Sequence, residues 1–146
     1  KLNAIGRLEN LPSKARKELD EVIQKTSGNK LMTLTLALSY GSREEMVSTI
    51  KSIATKVKDG SLDIENINDD TVNQHLYTHN LPDVDLLIRT SGEERISNFL
   101  LWQIAYAELY FTPTLWPDFR RENLLEAVLN YQNRERRFGK TSEQLS

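Results

Sequence analysis

Short apolar segments of strand-like pattern alternate along this chain with longer segments of helical spacing, and this alternation constrains the fold most. From Leu34 to Leu38 every second residue is leucine, which is the period-two pattern of a β-strand. A compact apolar run then ends at Arg89, and shorter runs at 1–5 and 108–111 complete the predicted strands. Strands that alternate with helices favour an α/β fold with a mostly parallel β-sheet flanked by helices.

The helices are predicted from apolar residues that recur every three or four positions. Pro12 suits the first turn of one helix, and Ser42 with Glu45 has the pattern of a capping box at the start of another. The predicted helices cover residues 12–26, 42–57, 69–77, 96–106 and 118–134. The predicted apolar face of the second helix comprises Met46, Val47, Ile50, Ile53 and Val57.

Length and composition limit the classes of protein and partner. A chain of 146 residues without repeats suits one domain, which we predict over residues 1–133, followed by a polar tail over 134–146. The formal net charge of -2 gives no overall attraction to nucleic acid or anionic lipid, so an anion site has to be local. The absence of cysteine excludes disulfides and thiolate metal sites and is compatible with a reducing cytoplasm.

Polar residues follow the predicted strand that ends at Arg89, and ligands in α/β folds gather beyond the carboxyl ends of strands. Arg89 and Arg95 carry fixed charge and planar donors that suit phosphate oxygens. Thr90, Ser91, Gly92 and Ser97 add hydroxyls and a flexible backbone whose N–H groups can face an anion. Two arginines and a serine therefore predict a diphosphate site.

Glu108 is a lone carboxylate among apolar residues. Mg²⁺ prefers oxygen ligands and often takes only one or two protein carboxylates, with water and substrate phosphate oxygens completing its shell. A glutamate near a diphosphate site therefore predicts Mg²⁺, whereas zinc requires several nitrogen or sulfur ligands.

The same residues also allow purely structural roles. In that interpretation Arg89 pairs with Asp85 or Glu93, and Arg95 pairs with Glu94 or with the lone carboxylate. Ion pairs of this kind would leave no free positive charge for a ligand.

Two other patterns have a surface interpretation. His75 and His79 are four residues apart, which suits metal ligands on one helix face, but no acidic partner accompanies them. The basic residues from Arg134 to Lys140 resemble a short nucleic-acid patch, but neighbouring glutamates balance them. We interpret both sets as solvated side chains.

The segment RTSGEERISNFLLWQIAYAELYF, residues 89–111, resembles the most characteristic segment of the cis-prenyltransferases, and most of all of their bacterial, undecaprenyl diphosphate-forming branch. The resemblance extends outward in the family's order, through LTLALSYGSRE and LPDVDLLIR upstream and LWPDF and NRERRFG downstream. It covers essentially the whole chain.

This resemblance implies a transferase that condenses isopentenyl diphosphate onto an allylic diphosphate, typically farnesyl diphosphate. Each cycle makes a new cis double bond, until a long polyprenyl (undecaprenyl) diphosphate is built. Arg89, Arg95 and Ser97 resemble the residues that bind the isopentenyl diphosphate head. Glu108 resembles the carboxylate that helps to hold Mg²⁺.

In the tail, Arg137 and Gly139 resemble the family's Arg-x-Gly substrate-binding motif, which reaches the active site of the partner subunit in a homodimer. The family also implies a cytoplasmic enzyme of cell wall biogenesis with no nucleic-acid partner. Its lipid product implies peripheral contact with the inner membrane surface.

Two departures from the family pattern limit what we expect of these 146 residues. Ser42 stands where the family commonly has the second glycine of Tyr-Gly-Gly-Arg, which is a mild change. The family's Asp-Gly-Asn-Gly-Arg-Trp segment, with its essential aspartate, does not occur in the sequence. We therefore expect the C-terminal part of a single cis-prenyltransferase domain, with an incomplete sheet, no catalytic residue of its own and no turnover alone.

Two alternative functions stay open at this point. A non-catalytic partner subunit of the same superfamily would typically have lost several diphosphate-binding residues, whereas the arginines, serine and glutamate named above are present. An unrelated phosphate- or nucleic-acid-binding module would use the basic tail, and its binding would be salt-sensitive and independent of Arg89.

Overall fold

The computed structural model describes residues 1–134. These residues belong to two compact units, Lys1–Pro82 and the part of the chain from Asp83 onward. The prediction of one domain over residues 1–133 stays a prediction, and residues 135–146 of the predicted tail lie outside the described residues.

The predicted α/β class is confirmed, because both units combine parallel strands with helices. The first unit contains β1 Leu2–Ile5, α1 Ser13–Thr26, β2 Leu34–Ala37, α2 Ser42–Lys58 and α3 Asp69–His75. The second contains β3 Leu86–Arg89, β4 Glu108–Phe111 and α4 Arg121–Gln132. Three-residue 3₁₀ turns occur at Leu8–Asn10, Ile64–Asn66 and Trp116–Asp118.

Each unit holds one parallel pair of four-residue strands. β1 pairs with β2, so that Leu2 lies opposite Leu34. β3 pairs with β4 over the full length of both strands. Within residues 1–134 the expected parallel sheet therefore consists of two two-stranded sheets.

The predicted apolar face of α2 is wrong in part. The buried residues of this helix are Ser42, Glu45, Thr49 and Ile53, whereas Val47 and Ile50 are more than half exposed. The cause is hydrogen bonding, since buried polar groups need partners. The Thr49 hydroxyl donates to the carbonyl of His75 at 3.2 Å, and the Glu45 carboxylate accepts two hydrogen bonds.

The predicted capping box at Ser42 is also wrong. Gly41 is the N-cap of α2, and no side chain caps this end of the helix. Ser42 is the first helical residue and is buried, while the Glu45 carboxylate accepts from the Tyr40 hydroxyl and from the Tyr77 N–H.

The helix predicted over 96–106 does not form. Ser97, Asn98 and Leu100 have φ angles of 55°, 61° and 48°, in the left-handed region, whereas an α-helix needs φ near -60° at every residue. Each such residue costs about 1 kcal/mol, so the fold holds this segment against local preference. The apolar spacing of this segment was therefore wrong as a sign of helix, and its residues Phe99, Leu101, Trp102 and Tyr106 are exposed.

Smaller differences concern helix ends. α4 begins at Arg121, because a 3₁₀ turn over Trp116–Asp118 precedes it. α3 ends at His75, because Leu76 is extended. Among the described residues, no helix is both long and apolar enough to cross a bilayer.

Candidate functional site

Arg89 is the last residue of β3, and its Nε atom is buried without a hydrogen-bond partner within the described residues. No carboxylate there forms an ion pair with it, so the structural pairs with Asp85 or Glu93 are not formed. A buried donor on a permanently charged group is costly to leave unsatisfied. The end of β3 therefore carries a positive charge that an anion can satisfy.

The turn after Arg89 is held by the chain that follows β4. Ser91 and Gly92 have φ angles of 72° and 67°. The Ser91 N–H donates to the carbonyl of Thr114 at 2.8 Å, and the Gly92 N–H donates to the carbonyl of Thr112 at 2.9 Å. These two N–H groups are thus engaged within the protein, and the expectation that they face an anion is wrong for both.

The next residues differ. No backbone N–H from Glu93 to Ser97 donates a hydrogen bond to any of residues 1–134. Ser97 is exposed and left-handed, and successive free N–H groups with such a conformation are typical of anion-binding concavities. The donors for an anion are therefore to be found after Gly92.

Arg95 is also exposed and pairs with Glu93, rather than with Glu94 or Glu108 as the structural alternative proposed. Exposed ion pairs contribute about 0–1 kcal/mol, because water screens them. A bound diphosphate can replace Glu93 as the partner of Arg95 at little cost.

The structure does not bring Glu108 next to Arg89. Glu108 is the first residue of β4 and lies opposite Leu86, while Arg89 lies opposite Phe111. The two residues are therefore about 10 Å apart along the ladder, and side chains three positions apart point to opposite faces. In one copy of the described chain they belong to different ends of the sheet.

Glu108 has a partner that the sequence did not predict. Its Oε2 atom accepts from Nη1 of Arg134 at 2.7 Å. Nη2 and Nε of Arg134 donate to Oδ1 of Asn130 at 2.7 and 2.9 Å, which fixes the guanidinium beside α4. The available signal is the segment NRERRFG, whose first arginine is Arg134, and the interpretation of Arg134 as a solvated side chain is wrong.

Within the described residues, Glu108 could supply Mg²⁺ with one ligand but not with a complete set. Arg134 occupies one oxygen of Glu108, and no group of three His, Cys, Asp or Glu residues within 1–134 is placed to hold a metal. A lone carboxylate fits an ion whose other ligands are water and phosphate oxygens. Glu108 therefore fits as one ligand of several.

Arg137 and Gly139 lie outside the described residues, so their predicted roles stay predictions. His75 and His79 do not share a helix, since α3 ends at His75, and their Nδ1 atoms bond to the carbonyls of Thr71 and Leu76. Arg134, the first residue of the basic tail, is engaged with Glu108 and is not a free nucleic-acid contact.

Comparison with known proteins finds one matching family model and related isoprenyl transferases. Residues 1–139 match the family model described as putative undecaprenyl diphosphate synthase. An isoprenyl transferase of Porphyromonas gingivalis is 56% identical over 146 residues, which are 100% of this chain and 58% of that protein. An isoprenyl transferase of Chlorobaculum tepidum is 53% identical over 99% of this chain and 55% of its own length.

Two solved structures share the fold. The crystal structure of lavandulyl diphosphate synthase from Lavandula x intermedia, in complex with dimethylallyl diphosphate, has a TM-score of 0.92 and 41% identity. It is covered over 60% of its chain, and 96% of the present chain is matched. A probable undecaprenyl diphosphate synthase from Campylobacter jejuni has a TM-score of 0.79 and 38% identity. The match covers 96% of the present chain and 63% of the Campylobacter chain. The present chain thus spans a little over half the length of its relatives.

Proposed function

This chain belongs to the cis-prenyltransferase family, that of undecaprenyl diphosphate synthase, and from that premise we propose that it is the part of such an enzyme that binds isopentenyl diphosphate. The complete enzyme condenses isopentenyl diphosphate onto an allylic diphosphate such as farnesyl diphosphate. Repeated cycles with cis double bonds build a long polyprenyl diphosphate of the undecaprenyl type.

The observation that carries the proposal is the unsatisfied Nε of Arg89 at the carboxyl end of β3. The exposed Arg95, the Ser97 hydroxyl and the free N–H groups of residues 93–97 follow within one loop. Together they supply fixed positive charge and several donors over a short stretch of chain, which is the chemistry that a diphosphate requires.

In this mechanism the allylic carbon–oxygen bond breaks and diphosphate leaves with the bonding electrons. The double bond of isopentenyl diphosphate forms the new carbon–carbon bond, and loss of a proton creates the new double bond. Arg89, Arg95 and Ser97 hold the isopentenyl diphosphate head and orient its double bond. Holding both substrates in place lowers the entropic part of the barrier.

Mg²⁺ dependence is part of the proposal, with Glu108 as one ligand. A bound Mg²⁺ would neutralise charge on diphosphate oxygens. Because Arg89 and Glu108 lie at opposite ends of the β3–β4 ladder, the remaining ligands come from substrate or from protein groups other than the Arg89 loop of the same chain.

Assembly and location follow the family as further proposals. Arg137 and Gly139 complete the diphosphate site of a partner copy in a homodimer. The enzyme works in the cytoplasm at the inner membrane surface, which receives its lipid product in cell wall biogenesis. Residues 1–146 alone bind substrate without turnover, because the aspartate-bearing segment of the family does not occur in them.

The test is calorimetric titration of the full-length protein with isopentenyl diphosphate and Mg²⁺, beside an Arg89→Ala, Arg95→Ala double variant. Loss of two charged donors should weaken binding by about a hundredfold. Arg16→Ala, which removes an exposed arginine from α1, is the control and should bind like the parent.

Residues 1–146 form a second arm of the same titration. Binding to them is expected and would locate the site within this chain, whereas absence of binding would contradict the proposal that residues 1–146 alone bind substrate. If the full-length parent binds no isopentenyl diphosphate, or if the double variant binds as tightly as the control, the proposed function is wrong.

A further inference from the structure

Thr112 holds both ends of the turn that follows β3. It is the residue after β4 and is only 7% exposed. Its N–H donates to the carbonyl of Arg89 at 2.9 Å, and its own carbonyl accepts from the Gly92 N–H at 2.9 Å. The chain from Arg89 to Gly92 is thus closed at both ends by one residue.

The hydroxyl of Thr112 fixes the next two residues. Its Oγ1 accepts from the Thr114 N–H at 3.3 Å and donates to Oγ1 of Thr114 at 3.1 Å. A threonine hydroxyl that bonds the backbone two residues later closes a side-chain turn, and Pro113 restricts φ at its centre. The hydroxyl thereby sets the position of the Thr114 carbonyl.

That carbonyl is what restrains Ser91, whose N–H donates to it at 2.8 Å. Ser91 has a φ of 72°, a conformation that a non-glycine residue keeps only when its surroundings impose it. The side chain of Thr112 therefore acts on Ser91 through Thr114. Arg89 precedes this turn and the free N–H groups of residues 93–97 follow it, so the turn sets how the two halves of the diphosphate site face each other.

We propose that Thr112 is a positioning residue for isopentenyl diphosphate, acting through the Thr112–Thr114 turn on the Ser91–Gly92 backbone and without touching the substrate. This inference rests on the proposed function. According to this inference, the buried Thr112 hydroxyl after β4 influences the affinity for isopentenyl diphosphate of the loop that follows β3.

The test compares Thr112→Val with Thr112→Ser in the full-length protein by steady-state kinetics. Valine keeps the shape and the backbone bonds but lacks the hydroxyl, so KM for isopentenyl diphosphate should rise about tenfold with kcat within about twofold. Serine keeps the hydroxyl and should restore KM to within about threefold of the parent. KM for farnesyl diphosphate should not change in either variant.

Thr49→Val is the matched control, because Thr49 is a buried threonine of α2 whose hydroxyl donates to the carbonyl of His75. It should lower the melting temperature as Thr112→Val does and leave KM for isopentenyl diphosphate unchanged. If Thr112→Val does not fold, Pro113→Gly tests the same turn from an exposed position and should raise the same KM.

Equal KM values for Thr112→Val, Pro113→Gly and the parent would overturn the inference, and so would failure of serine to restore KM. A parent without prenyl transfer, or an Arg89→Ala variant with unchanged KM, would instead contradict the proposed function. The two failures are therefore distinguishable in one set of assays.

Discussion

The carboxyl ends of β2 and β3 have similar backbones but differ in whether their buried charged side chain is hydrogen-bonded. Each strand has four residues and is soon followed by a left-handed serine, Ser39 with φ 48° after β2 and Ser91 with φ 72° after β3. After β2 the chain enters the 17-residue helix α2. After β3 it enters a non-helical loop with further left-handed residues.

The buried charges at the two ends differ in the same way. After β2, Glu45 is 1% exposed, and its two oxygens accept from the Tyr40 hydroxyl at 2.6 Å and the Tyr77 N–H at 2.8 Å. At the end of β3, the buried Nε of Arg89 has no partner within the described residues. A satisfied buried charge ties elements together, whereas an unsatisfied one marks a place where a ligand completes the structure. We therefore regard the first end as scaffold and the second as site.

Gly6→Ala should produce the largest change in stability, on the scaffold side. Gly6 has a φ of 105°, and a Cβ there would overlap the carbonyl oxygen of Leu38 and approach Cβ of Tyr40 to 3.1 Å. Strain and overlap together should lower the free energy of unfolding by about 4 kcal/mol, measured by urea denaturation.

Gly92→Ala is the matched change on the site side. Its φ of 67° is also unfavourable for alanine, but the nearest atom to a new Cβ is Cα of Pro113 at 3.9 Å, an ordinary contact. The expected loss is about 1 kcal/mol. If Gly6→Ala and Gly92→Ala lowered the free energy of unfolding equally, the turn at Gly6 would not be more tightly packed than the turn at Gly92.

Glu45→Ala tests whether the buried carboxylate is structural. It leaves the Tyr40 hydroxyl and the Tyr77 N–H without their acceptor, so the free energy of unfolding should fall by about 3 kcal/mol. Glu45→Gln keeps one oxygen acceptor and should lose less. KM for isopentenyl diphosphate should stay unchanged in the folded Glu45→Gln variant. A raised KM would mean that Glu45 contributes to substrate binding and not only to the fold.

Arg89→Met tests whether the buried arginine serves binding and not stability. Methionine removes a buried donor that has no partner, so stability should rise by about 1 kcal/mol while isopentenyl diphosphate binding is lost. Thermal unfolding without ligand, together with calorimetry, measures both effects. A clear loss of stability would mean that Arg89 supports the fold.

The smallest effect concerns Asp59, an exposed carboxylate at the end of α2. The Ser61 hydroxyl and then the Ser61 N–H, at 2.6 and 3.0 Å, hold the pKa of Asp59 below its ordinary value. A carboxyl whose pKa is lower in the folded state contributes stability above its unfolded-state pKa of about 4, and this contribution is lost as pH falls through the folded-state pKa.

Asp59→Asn should remove that dependence. The urea midpoints of parent and variant should differ slightly near neutral pH and converge as the pH falls through the lowered folded-state pKa of Asp59. Midpoints that differ by the same amount at every pH would show that ionisation of Asp59 does not contribute.

Local patterns predicted most of the elements, and failed where tertiary contacts decide. All four helices and all four strands were predicted within a few residues, because their periodicity and their Gly and Pro boundaries are local signals. The helix over 96–106 was wrong because left-handed residues such as Ser97 interrupt a segment whose apolar spacing is helical. The capping role of Ser42 was wrong because Gly41 is the N-cap and the Glu45 carboxylate accepts from the Tyr77 N–H, which is 32 residues away in sequence.

The sequence by itself determined the α/β class, the family, and the presence of Arg89, Arg95, Ser97 and Glu108 in one segment. Only the tertiary structure decided that Glu108 lies at the other end of the ladder from Arg89, that Arg134 is its partner, and that Thr112 closes the turn after β3. The physical reason is that strand register and long-range hydrogen bonds depend on which residues meet after folding, whereas periodicity and motif spacing are properties of neighbours in the chain.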